Sequence, residues 1–142
     1  MANRTRQLGN FRSGNNLYVD VTNSRVGVGT TVPSTTLQVA GTITCVDINS
    51  TSDIKLKENI HSIEDPLGKV MQINGVGFRW KDTKEDAIGV IAQDIEEVIP
   101  ELVKNNDHIK TVNYNGLIGV LIEAIKEQQR QILELKAQIN DK

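Results

Sequence analysis

A hydroxyl and an amine stand five residues apart in Ser52-Asp53-Ile54-Lys55-Leu56-Lys57-Glu58-Asn59-Ile60. A serine oxygen becomes a nucleophile when a neighbouring base takes its proton, and a neutral lysine amine serves as that base if the backbone folds the two together. A lysine of ordinary pKa is protonated at pH 7, so the fold has to lower it by desolvation or neighbouring charge. Spacing alone does not separate this pair from a solvated turn, because Ser and Lys are both common on surfaces. Other chemistries are poorly supplied. The single Cys45 excludes an intrachain disulfide framework, and with two distant histidines it leaves no zinc set, so no metal is expected. Asp94, Glu96 and Glu97 have no convergent His or further acidic group at ligand spacing and read as a solvated helix face. Gly27-Val28-Gly29 lacks the third glycine, the Lys-Ser/Thr and the helix of a phosphate loop, so no nucleotide or other cofactor is expected.

The motif lies where two kinds of sequence meet. Residues 1–51 are rich in Gly, Thr, Ser, Val and Asn, with four Arg, no Lys and two Asp, whereas residues 52–142 carry 12 basic and 16 acidic residues. The overall charge of -2 points to neither nucleic acid nor a membrane surface. No run approaches a membrane span and the start leads into no signal-peptide core, so the expectation is a soluble protein made in a cytoplasm. With 38% apolar and 4% aromatic residues, a core would rest on Val, Ile and Leu and is a little small to be self-sufficient; association with other chains is expected.

Up to residue 25 the chain alternates weakly and is punctuated by Gly9, Gly14, Asn15 and Asn16, which predicts short strands joined by turns. Leu37, Val39 and Ile43 share one side of an extended chain, predicting a half-buried strand that needs copies of itself to cover it. After Ser52, Asp65-Pro66 is a helix start, predicting a helix from about 66 to 73 that ends at Asn74-Gly75. Val76, Phe78 and Trp80 predict a strand, a charged turn leads to Ala87–Ala92, and together they form a hairpin under that helix. Residues 93–98 predict a second helix stopped by Pro100, with residues 101–103 leading into a polar loop ahead of 109–112.

The strongest periodicity comes last. Ile118, Leu121, Ile125, Gln128, Ile132, Leu135 and Ile139 recur at alternating intervals of three and four, the a and d positions of a heptad. Every a is Ile and d is Leu except Gln128, a polar residue of the kind that fixes register. Ile at a with Leu at d favours two strands by itself, so the heptads argue for association without fixing a trimer. A helix lying on its own domain competes best over Ile118–Ile125, because beyond it the intervening residues are nearly all polar.

Four blocks in order then carry a resemblance: Ser52-Asp53-x-x-x-Lys57 with Glu58-Asn59-Ile60; Phe78-Arg79-Trp80-Lys81; the run Ile88 to Val103; and Val112-Asn113-Tyr114 with Leu121 to Glu127. Together they resemble the C-terminal intramolecular chaperone domain of phage tail fibres, tailspikes and endosialidase-type proteins, the peptidase S74 family. The stretch from Val26 to Ile43 resembles the stalk repeat that often precedes it. The resemblance implies an α+β fold in an intertwined homotrimer, with a β-rich stalk over 1–51, a small mixed chaperone body over 52–142, and a C-terminal helix over 114–142 forming a coiled coil. It implies self-cleavage between Thr51 and Ser52 once the trimer is assembled, with Ser52 as nucleophile and Lys57 as general base; Asp53 matches the motif without a role. It further implies a virion protein, made and assembled in the host cytoplasm, whose partners are its own copies and other tail or baseplate proteins. The alternative is a structural fibre or adaptor that keeps the domain uncut. Membrane-linked regulators also borrow this domain, but their DNA-binding domain and membrane span have no counterpart in these residues.

Overall fold

In the computed structural model, which describes residues 16–106 and 109–140, the chain divides into two units, residues 1–56 and 57–142. The turn residues expected at Gly9, Gly14 and Asn15 lie outside the described residues. In the first unit, β1 (Leu17–Asp20) pairs antiparallel with β2 (Arg25–Val28), Leu17 opposite Val28 and Asp20 opposite Arg25. Asp20 closes the turn, its carboxylate accepting from the side chain of Asn23 at 2.7 Å and from its backbone N–H at 3.1 Å. Those two bonds, the side-chain one first, hold the Asp20 carboxyl below the usual carboxylate range.

β3 (Leu37–Val39) runs parallel to β2, Val26 opposite Leu37 and Val28 opposite Val39. The connection between them is short for a parallel crossover, and it is tied down by Arg25 donating to the Pro33 carbonyl at 2.9 Å and by the Ser34 N–H donating to Gln38 at 2.7 Å. The strand expected to continue to Ile43 stops at Val39. Ala40 N–H makes the last bond, to Val28 at 2.8 Å, and beyond Val28 the neighbouring strand turns away at Gly29 with φ 72°, so that no strand among the described residues pairs with residues 41–43. A Cβ on Gly27 would run into the Thr30 carbonyl oxygen, which is backbone and cannot rotate aside. Gly27→Ala is therefore expected to cost this sheet about 2 kcal/mol. Amide hydrogen exchange at Val26 and Val28 checks it, and protection equal to wild type would refute it.

In the second unit, α1 (Pro66–Gln72) starts as its sequence predicts, with Pro66 at its first position and the Asp65 carboxylate accepting from the Gly68 N–H at 3.1 Å. Asp65 sits in the left-handed region at φ 44°, which Asp tolerates better than most residues. β4 (Gly75–Arg79) and β5 (Asp86–Val90) form the expected hairpin, Gly75 opposite Val90 and Arg79 opposite Asp86. Its turn end is held by a two-pronged Arg79–Asp86 pair at 2.8 and 3.0 Å, and the guanidinium keeps the Asp86 carboxyl below its ordinary range. The hairpin does not lie under α1, as expected from sequence; α1 instead packs along α3 (Tyr114–Asn140), whose Glu127 carboxylate accepts from the Leu67 N–H at 3.4 Å.

α2 (Ala92–Val98) runs into a 3-10 turn at Pro100–Leu102, and the polar loop expected next is half strand: β6 (Val103–Asn106) pairs antiparallel with β7 (Ile109–Val112). The acidic face of α2 is not wholly solvated either, because Lys110 of β7 forms an ion pair with Glu96. Asn113 caps α3, its side-chain oxygen accepting from the Gly116 N–H at 3.1 Å while its own N–H donates to Leu102 at 2.8 Å. A Cβ on Gly116 would strike the Leu102 side chain, so the helix lies close against that turn. Ile95, Ile99, Leu102 and Val120 form the buried core, with Val70, Ile73 and Leu117 packed around it. The architecture is mixed α+β, with small sheets and one long C-terminal helix.

Candidate functional site

Asp53 shapes the motif around Ser52. Its Oδ1 accepts from the Lys55 N–H at 2.9 Å, its carbonyl accepts from the Leu56 N–H at 3.1 Å, and Ile54–Leu56 forms a single 3-10 turn. Thr51, Ser52, Asp53 and Lys57 are all exposed. The division between the units falls after Leu56, so Ser52 belongs to the first and Lys57 to the second. Chemically, the segment offers a hydroxyl, an amine and a carboxylate, of which the carboxylate is engaged with the Lys55 backbone N–H. Among the described residues no three His, Cys, Asp or Glu side chains gather as metal ligands would, and no helix is long and apolar enough to cross a membrane.

The seven heptad residues all lie on α3, which is continuous, so their three-four spacing places them on one stripe. The helix has a second apolar row, and the two rows differ in exposure. Val120 and Ala124 are 4% and 3% exposed and face the body with Leu117, whereas Ile118 and Ile125 are 54% and 64% exposed. Leu121, Ile132, Leu135 and Ile139 are exposed as well. A helix lying on its own domain, the reading that competes over Ile118–Ile125, accounts for the first row and leaves the second uncovered. From Gln128 to Asn140 every residue is exposed, a stretch of helix with no packing from the body.

A shallow groove of about 560 Å³ runs between Ile60–Ile63 and the helix residues Gly119, Ile122, Glu123 and Lys126; neither Ser52 nor Lys57 lines it. Sequence reasoning missed the turn made by Asp53, although Asp followed two residues later by a free N–H is a known local signal. It also missed the Lys110–Glu96 pair, for which no local signal exists because the partners meet only through the fold.

The second unit is a small α+β body with one long C-terminal helix, and the Ser-Asp-x-x-x-Lys motif spans the division between the two units in the sequence. Residues 52–104 match the family model described as Chaperone of endosialidase, Peptidase_S74. The chain's relatives include three proteins each called Long tail fiber protein Gp37. That of Salmonella phage S16 is 35% identical over 113 residues, covering 71% of this chain and 15% of the relative. That of Enterobacteria phage K3 is 33% identical over 98 residues, covering 62% and 8%, and that of Enterobacteria phage M1 is 31% identical over 101 residues, covering 63% and 40%. The chain thus spans only a small part of the length of the first two.

Proposed function

We propose that this chain is the chaperone end of a phage tail fibre, which gathers three copies through α3, helps the β-rich segment ahead of it to fold, and then cuts itself between Thr51 and Ser52. The observation that carries the reading is the exposed heptad stripe of α3 beside a separate row already used by the body. A surface that regular, left uncovered by its own chain, is what a coiled-coil seam presents before copies meet. The first unit supports the same reading. Its three strands leave Val19, Leu37 and Tyr18 exposed, and a narrow sheet of this kind gains cover and loses its edges by intertwining with copies. Holding three such segments together raises their local concentration, which favours a slow, non-local pairing. The assembly belongs to a virion, with other tail or baseplate proteins as further partners.

In the cleavage step, the Ser52 Oγ attacks the Thr51 carbonyl carbon while Lys57 takes the hydroxyl proton. The Thr51–Ser52 amide bond breaks, its nitrogen takes a proton and leaves as the new amino terminus, and water then hydrolyses the Thr51 ester to return the hydroxyl. Intact-mass measurement on assembled protein tests this. Wild type is expected to yield residues 1–51 and 52–142, while Ser52→Ala and Lys57→Ala stay whole with the same native mass before cutting. Wild-type trimer that remains full length on long incubation would remove the cleavage step and leave the uncut structural fibre.

A further inference from the structure

The self-cleavage reading, on which this inference rests, gives Asp53 no part. Yet its carboxylate oxygen receives the Lys55 N–H at 2.9 Å at the start of the 3-10 turn Ile54–Leu56. Ile54 and Leu56 are exposed, so burial contributes little to holding that turn and the side-chain acceptor matters more. The turn bears on Ser52 and Lys57 through chain geometry alone. In an extended chain, residues five apart lie about 17 Å from one another and point to opposite faces, beyond the combined reach of a serine hydroxyl and a lysine amine. A 3-10 turn advances only about 2.0 Å per residue and completes a circuit in three, which both shortens the span and rotates the residues that follow. We propose that Asp53 is a positioning residue for the Ser52–Lys57 pair, its Oδ1 holding the turn through which hydroxyl and amine come within reach. The acceptor oxygen, and not the negative charge, is what the turn uses, so Asn and Ser replace Asp while Ala does not.

The test compares wild type, Asp53→Asn, Asp53→Ser and Asp53→Ala as assembled full chains, each first shown by native mass spectrometry to have the wild-type mass. Cleavage is timed by intact mass. Asp53→Ala is expected to cut about fivefold more slowly or worse, the effect of losing a capping acceptor, and Asn or Ser to restore the rate to within about twofold. Asp53→Ala cutting at the wild-type rate would overturn the proposal, as would Asp53→Asn as slow as Ala, which would assign the role to charge. In the Ser52→Ala background, hydrogen exchange at the Lys55 amide gives a readout independent of cutting. Protection lost in Asp53→Ala and kept in Asp53→Asn supports the turn; protection unchanged in Asp53→Ala overturns it. Wild type that stays whole defeats the cleavage reading and this role with it, whereas wild type that cuts keeps that reading whatever the Asp53 variants do.

Discussion

Ile125→Asp combined with Ile132→Asp is expected to turn the assembled protein into monomers while leaving each body folded. Both residues are exposed in the single chain, so the substitutions disturb nothing the body packs against; the buried row uses Val120 and Ala124 instead. In a three-stranded seam each position would bring three carboxylates together out of water. The effective penalty is several kcal/mol per buried ion, with no cation opposite to offset it. Native mass spectrometry at micromolar concentration reads the result directly, and circular dichroism shows whether the body survives. Variants that keep the wild-type mass would mean the stripe is not the seam, and a wild type that is a stable monomer would remove the trimer altogether.

Residues 52–142 expressed alone are expected to give a folded trimer with a cooperative thermal transition, whereas residues 1–51 alone give a disordered circular-dichroism spectrum or aggregate. The asymmetry follows from burial. Ile95, Ile99, Leu102, Val120 and Ala124, the buried hydrophobic residues among those described, all belong to the second unit. The strands of the first leave much of their apolar surface in water, against a backbone entropy of about 1–2 kcal/mol for each residue ordered. An isolated 1–51 segment that trimerised readily would show that the C-terminal module is not its folding template.

Elements with strong local grammar were legible before the structure. Asp65-Pro66 announced α1 because the capping acceptor and the fixed proline φ act within one turn, and the three-four recurrence from Ile118 to Ile139 announced α3 because a helix repeats its face every few residues. β6 was missed because Val103-Lys104-Asn105-Asn106 is mostly polar; what makes it a strand is the neighbouring Ile109–Val112, with Val103 set opposite Val112. The end of β3 was overrun for the same kind of reason, since Ile43 has the right alternation but no partner strand among the described residues remains beside it. The packing of α1 along α3, not over the hairpin, depends on contacts some sixty residues apart, such as Glu127 with Leu67, which no window of sequence displays. At the site, residue types suggested the hydroxyl and amine, but only the backbone around Asp53 revealed the turn between them.

The two apolar rows of α3 also separate folding events by kinetic order. The row that meets α1 and the core closes within one chain, so body formation is first order and indifferent to dilution. The exposed row has no partner until copies collide, so in the proposed trimer its burial depends on a power of the chain concentration. Chains emerging close together on one message would therefore join faster than the same chains scattered, and each would arrive at that encounter with its body already built.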